Sequence, residues 1–231
     1  MELHALHMEG GIPEQQYLHL LLSTDADMRK RISSFYRRED AERSLAGVFL
    51  AKTVIADKIG QPVRRIQFQV NPYGKPEVSG LNIHFNISHS GDWVICALDE
   101  QPIGTDIEQC HSLPPAIGDL CFTEEEKVYL AADSHEYPNR FYELWTLKES
   151  YIKALGKGMS IPLQSFSIQK SQEESRFKCY IQNHLLEDWS FETFNDITGY
   201  QCAVCCHPKS IPGQLRLWSL NDFYYPKLEL A

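Results

Sequence analysis

The chain is 231 residues long, 43% apolar and 23% charged, with a formal net charge of −9. That length suits one large domain or two small ones, with enough apolar residues for a core that needs no staples. No run approaches the roughly 20 apolar residues that a membrane-spanning helix needs, and the negative charge makes nucleic acid a poor partner for the surface as a whole.

The opening residues MELHALHMEGG show no basic start leading into an apolar run, so no signal peptide is expected and the default compartment is the cytoplasm. A short helix is expected near Asp25–Phe35 and a long one from about Arg38 to Ile59. Six basic residues, Arg29, Lys30, Arg31, Arg37, Arg38 and Arg43, fall within fifteen positions here. They form either a solvated helix face or an anion site. Strands follow near Ile66–Val70, Ile83–Ser88 and Trp93–Leu98, the last two joined by the hairpin turn Ser90-Gly91-Asp92. Alternation puts Ile83, Phe85 and Ile87 on one face of the middle strand and His84, Asn86 and Ser88 on the other, with His89 after the strand end.

The segment Ile103-Gly104-Thr105-Asp106-Ile107-Glu108 also alternates, which sets Asp106 and Glu108 together on one face. Carboxylates that close repel unless a proton or cation lies between them. Magnesium, held by one or two carboxylates plus substrate phosphates, suits such a pair, and a solvated strand end is the plain alternative. Thr123-Glu-Glu-Glu126 has the form of a capping box. A helix from about Arg140 to Leu155 follows, with Asn139 as N-cap and Gly156 as stop. Its apolar stripe, Phe141, Leu144, Trp145, Tyr151, Ile152 and Leu155, is interrupted by Lys148, which must snorkel out or meet an anion. Glu149 and Lys153, four apart at the stripe's edge, are either a surface ion pair or a third metal carboxylate beside a cation that assists a leaving group. The loop Gly156-Lys157-Gly158-Met159-Ser160 is a helix stop and turn, or a place where backbone amides approach a phosphate or partner; it lacks the P-loop spacing. Strands near Ser165–Gln169, Trp189–Phe194 and Tyr200–Cys206 complete the chain.

The order of long helix, strand and hairpin occurs twice. It predicts an α+β pseudo-dimer of two similar halves, each a long helix packed on a small antiparallel sheet, over residues 1–104 and 105–231. The halves join near residues 104–110, and the cleft between them is the expected ligand site. The seven cysteines follow no framework and are expected to be free, buried thiols, Cys202-Ala-Val-Cys205 included.

Six segments occur in order: Phe35-Tyr-Arg-Arg-Glu-Asp40, Tyr73-Gly-Lys-Pro76, Phe85-Asn-Ile-Ser-His-Ser90, Gly104-Thr-Asp-Ile-Glu108, Phe122-Thr-Glu-Glu-Glu126 and Trp145-Thr-Leu-Lys-Glu-Ser-Tyr-Ile-Lys-Ala-Leu-Gly-Lys-Gly158. Together they resemble the surfactin-synthetase-activating class of phosphopantetheinyl transferases, over most of the chain and at the length of its pseudo-dimeric members. The resemblance implies that Asp106, Glu108 and Glu149 hold magnesium, which also binds the pyrophosphate of the substrate coenzyme A. It implies that Lys75, Ser88 and His89, helped by Arg31 and Arg43, contact the adenosine 3′-phosphate end. Lys153 would reach the pyrophosphate and assist the departing 3′,5′-adenosine bisphosphate.

Glu149 is then the candidate base for the carrier serine, directly or through water, and Glu126 is a second candidate whose alternative is the helix cap. Met28 stands where the family often has a basic residue, with Arg29 or Lys30 as possible substitutes. The implied partner is an acyl or peptidyl carrier protein from peptide-synthetase, polyketide or fatty-acid synthesis, with secondary metabolism as the suggested setting. It would meet a monomeric enzyme transiently, largely between the Gly156–Gly158 loop and about Leu186. Two rival readings stay open: another magnesium-dependent phosphoryl or nucleotidyl transferase, and a non-catalytic carrier-binding module.

Overall fold

The computed structural model describes residues 1–112, 121–171, 176–210 and 213–221. The first half comprises strand β1 (Glu2–His7), helices α1 (Glu14–Leu22), α2 (Ala26–Ser33) and α3 (Arg38–Ile59), and the hairpins β2 (Phe68–Val70)–β3 (Pro76–Val78) and β4 (His84–Ser90)–β5 (Trp93–Asp99). The second half comprises β6 (Gly104–Gln109), α4 (Glu124–Ala131), α5 (Tyr137–Leu155), β7 (Ser167–Lys170), β8 (Phe177–Ile181), β9 (His184–Leu185), β10 (Ser190–Phe194) and β11 (Tyr200–Cys206). In each half the first strand pairs antiparallel with the last strand of the final hairpin, giving β1–β5–β4 and β6–β11–β10. The fold is therefore an α+β pseudo-dimer, and its repeat goes deeper than the helix–strand–hairpin order read from sequence. A last strand, β12 (Leu215–Ser219), pairs parallel with β1, so residues from far along the chain form the outer edge of the first sheet.

Each long helix packs its apolar stripe on its own sheet. Gly47 lets α3 settle onto β4 and β5, because a Cβ there would lie 2.7 Å from Ile87 Cγ2 and 3.4 Å from Val94 Cγ1. Helix α5 begins at Tyr137, three residues before the expected start, with Glu136 rather than Asn139 at the cap position. Pro138 explains the difference: in the first turn its missing N–H costs nothing and its fixed φ favours the helix. Gly156, at φ 66°, stops α5 as expected. Strand β4 runs on to Ser90, so His89 lies within the strand and not after it.

The two sheets pack face to face through buried apolar clusters that include Leu3, Ala97, Ile103 and Val204 in one and Ala5, Ile95, Ile107 and Cys202 in the other. Cys205 instead joins the core beneath α5, so the thiols of the Cys202–Cys205 pair face opposite sides of β11. All seven cysteines are free. Along the joint, every second residue of β4 reaches across to β6. Asn86 Oδ1 accepts from the Thr105 N–H at 2.8 Å, Ser88 Oγ donates to Asp106 at 2.7 Å, and Ser90 Oγ donates to Glu108 at 2.9 Å. Gly104 makes the other close approach possible, since a Cβ there would collide with Ser150 O and Ala154 N of α5. The strand bearing Asp106 and Glu108 thus lies directly against the helix bearing Glu149 and Lys153. Among the described residues no helix is long and apolar enough to cross a membrane.

Candidate active site

A cavity of about 650 Å³ opens where β4, β6 and α5 meet, a volume within the range of small-molecule sites. Ser88, His89, Asp106, Glu108, Glu149 and Lys153 supply its polar side, and Trp145, Ile152, Ile161 and Leu163 supply an apolar wall. Six of the residues singled out in the sequence are thereby brought together.

At the centre, Lys153 Nζ donates to Asp106 Oδ1 at 2.5 Å and to Ser88 Oγ at 2.9 Å. Asp106 is 2% exposed, and its Oδ2 is buried without a hydrogen-bond partner among the described residues. A buried carboxylate oxygen left unpaired costs about 1–3 kcal/mol or more. Burial and the neighbouring Asp106 charge push the Glu108 carboxyl above the usual range, against the lowering pull of Ser90, Lys153 and Trp145. Burial likewise raises Glu149, with Lys153 lowering it and Asp106 raising it. Three hard oxygen donors that disfavour each other's charge, one with an unused buried oxygen, fit a divalent cation. Among the described residues no three His, Cys, Asp or Glu side chains are gathered around one point as a ligand set. The Lys153 ammonium instead supplies the positive charge on Asp106.

Burial, then Arg43 and Lys153, hold the His89 imidazole below its usual pKa. His89 and Ile87 also border a second cavity of about 140 Å³, lined by Arg31, Met28 and Phe68 among others. Arg43 sits at the β4–β5 turn and donates to Gly91 O at 3.0 Å and Asp40 Oδ1 at 2.6 Å. Met28 packs its thioether against the first core. Arg29 is committed to the carbonyls of Leu21, Leu22 and Thr24, which removes it as a substitute cation; Lys30 is exposed.

Two residues picked out in the sequence lie elsewhere. Glu126 is 1% exposed and does not line the cavity. Its oxygens accept from Lys148 Nζ at 2.7 and 2.8 Å, from the Ile168 N–H at 2.7 Å and from the Thr123 N–H at 2.8 Å. These bonds fill its acceptor capacity, leaving nothing to take a substrate proton. The cap reading is the one realised, and Lys148 meets the anion that its place in the stripe demanded. Lys75 is the other. Its Nζ donates to Lys153 O at 2.6 Å and Ile103 O at 3.0 Å, and it lines a separate cavity of about 280 Å³. Sequence reasoning passed over the bridging roles of Asn86 and Ser90, although their signal was available as polar residues at every second position of a strand.

The fold and site thus define a pseudo-dimeric enzyme with carboxylates and a lysine facing one another at the joint. The family described as the 4′-phosphopantetheinyl transferase superfamily matches residues 102–205, and the 4′-phosphopantetheinyl transferase N-terminal family matches residues 13–101. The 4′-phosphopantetheinyl transferase Sfp of Bacillus subtilis is 34% identical over 96% of this chain and 99% of its own. The 4′-phosphopantetheinyl transferase gsp of Aneurinibacillus migulanus is 40% identical over 89% of this chain and 85% of its own. The human L-aminoadipate-semialdehyde dehydrogenase-phosphopantetheinyl transferase is 28% identical over 77% of this chain and 65% of its own. The chain belongs to the 4′-phosphopantetheinyl transferase superfamily, and its activity is 4′-phosphopantetheinyl transfer.

Proposed function

We propose that the cavity at the joint of residues 1–104 and 105–231 moves the phosphopantetheine arm of coenzyme A onto a serine of an acyl or peptidyl carrier protein. The observation that carries this is the unpartnered Asp106 Oδ2 beside the Lys153 ammonium, in one cavity with Glu108 and Glu149. Asp106, Glu108 and Glu149 would hold magnesium, which when bound neutralises charge on the pyrophosphate. The serine Oγ forms a bond to the β-phosphorus of coenzyme A, and the bond to the bridging oxygen breaks. The serine proton goes to the Glu149 carboxylate, and 3′,5′-adenosine bisphosphate leaves. Lys153 neutralises the charge that grows on that leaving group. Ser88 and His89, helped by Arg31 and Arg43, would hold its adenosine end, His89 bordering both the main cavity and the smaller one that Arg31 lines, and the apolar wall at Trp145 and Ile152 suits the arm. A cytoplasmic monomer is the form proposed, in keeping with seven free thiols.

The test is mass spectrometry on a panel of carriers incubated with coenzyme A and magnesium, with and without chelator. A serine gain of about 340 Da that chelator abolishes is the expected result. A nucleotide adduct would favour the rival nucleotidyl transferase, and binding without modification a carrier-docking module.

Glu149→Gln gives a second check. The wild-type carboxyl has a raised folded value, so its stability penalty is absent below the unfolded value of 4.5 and grows as pH rises through the folded one. The variant, free of metal, should therefore melt higher than wild type at pH 7, by about 2–4 °C for each kcal/mol relieved, and the gap should close in acid. It should also keep coenzyme A binding while losing turnover. Persistent turnover would remove Glu149 as base and essential ligand.

A further inference from the structure

We propose that the β4–β5 turn is a positioning element that sets Glu108 and Arg43 in one frame, with Tyr200 as its anchor in the second half; this rests on the transferase reading above. The turn Ser90-Gly91-Asp92 belongs to the first half, yet it is fixed largely from outside its own hairpin. The Asp92 N–H donates to Tyr200 Oη at 3.0 Å, and Asp92 O accepts from the Met8 N–H at 2.7 Å. Tyr200 opens β11, directly opposite Gln109 on β6. Its ring packs against the buried cluster of Ala5, Ile95, Ile107 and Cys202, so its hydroxyl stands on a rigid stem. Gly91 seats the turn against that hydroxyl. Its φ is 52°, and a Cβ there would collide with Tyr200 Oη and lie 2.6 Å from Gln109 Oε1. Glycine meets both demands, the left-handed backbone and the close approach.

Two groups of the site take their places from this turn. Ser90 Oγ donates to Glu108 Oε2 at 2.9 Å and accepts from the Gln109 N–H at 3.1 Å. The hydroxyl spends its one proton on the carboxylate, so Ser90 orients Glu108 only while the turn stays docked on β6. On the other side, Gly91 O accepts from Arg43 Nη1 at 3.0 Å, while Arg43 Nη2 donates to Asp40 Oδ1 at 2.6 Å. The guanidinium is thereby held between α3 and the turn. Glu108 is the proposed magnesium carboxylate and Arg43 a proposed hold on the adenosine end. One turn therefore sets the spacing between the two ends of the nucleotide. Ser90, Gly91 and Tyr200 are absent from the lining of the main cavity, so they act through Glu108 and Arg43. Losing a residue that orients a metal-binding carboxylate typically costs about 10–100-fold in metal affinity or activity.

The experiment measures two affinities by calorimetry, magnesium alone and metal-free coenzyme A, alongside thermal melts and carrier modification. The samples are wild type, Ser90→Ala, Gly91→Ala, Tyr200→Phe and the double variant Gly91→Ala, Tyr200→Phe. Ser90→Ala should raise the magnesium Kd about tenfold and leave coenzyme A binding within about twofold. Gly91→Ala should weaken both, magnesium about tenfold or more and coenzyme A about threefold or more. Tyr200→Phe alone should weaken both about two- to fivefold, since it removes one exposed hydrogen bond. In the double variant the missing hydroxyl makes room for the new methyl, so both affinities should recover partway from Gly91→Ala. If Gly91→Ala lowers Tm while both affinities hold, the turn is a structural contact only and the proposal fails. If the double variant binds more weakly than Gly91→Ala, the hydroxyl does not seat the turn and Tyr200 is not its anchor. If Gly91→Ala does not melt cooperatively, Tyr200→Phe decides: weakened binding of both ligands supports the proposal, and unchanged binding overturns it. A wild-type chain that neither binds magnesium nor modifies any carrier strikes the transferase reading itself, a separate outcome visible in the control.

Discussion

Asp106→Asn should cut kcat/KM by about 1,000-fold or more without unfolding the protein. The size of the effect follows from how many jobs one buried carboxylate does. Oδ1 takes the Lys153 ammonium and the Ser88 hydroxyl, while Oδ2 is buried and unpaired. An asparagine can keep the Oδ1 bonds with nearly the same shape. It replaces Oδ2 with an amide that donates where a carboxylate oxygen stood, and such a group cannot hold a divalent cation. It also removes the charge that holds Lys153 in place. Both losses bear on the same step, because each strips positive charge from the departing 3′,5′-adenosine bisphosphate. Asparagine is a cleaner probe than alanine, which would leave a largely covered ammonium with no carboxylate and confound activity with stability. Steady-state rates over a magnesium titration, with a melting curve for each sample, make the measurement. Retention of more than a tenth of wild-type kcat/KM would show that Asp106 is not central.

Much of this site was legible because its signals are local. Two-residue alternation put Asp106 and Glu108 on one face, and the 3.6-residue period put Glu149 and Lys153 at the edge of a stripe that Lys148 interrupted. The structure places the first four at one cavity and gives Lys148 its anion. What escaped is non-local or locally ambiguous. The pairing of β12 with β1 joins the two ends of the described chain, and no short-range pattern encodes it. Strand β1 is covered on both faces, so the alternation that betrays a half-exposed strand is absent. Tyr73-Gly74-Lys75-Pro76 passes for a simple turn until the carbonyls 78 residues away are in view. The α5 start was misplaced because Asn139 and Pro138 are rival local signals, and the proline's fixed φ prevailed.

Breaking the buried pair of Glu126 and Lys148 should produce the largest loss of stability in the second half. Both side chains are fully covered, and the ammonium makes its three bonds to Glu126 Oε1, Glu126 Oε2 and Phe166 O. Removing one partner alone strands a charge in the core, which costs about 3–5 kcal/mol. For a chain of this size that is a fall in Tm of about 6–20 °C. Lys148→Met should show it, and Glu126→Gln should show it too, because the neutral amide leaves the Lys148 charge unmatched. The double variant Glu126→Gln, Lys148→Met is the informative one. With both charges gone the desolvation penalty goes with them, and the glutamine carbonyl can still accept from the backbone of α4 or β7, so most of the lost Tm should return. Turnover should return with it, since neither group touches the reacting atoms. A catalytic Glu126 predicts the opposite, a double variant that folds well and stays inactive. Melting curves and carrier-modification rates on the two singles and the double separate a pair that holds the α4–β7 corner together from one that takes part in proton transfer.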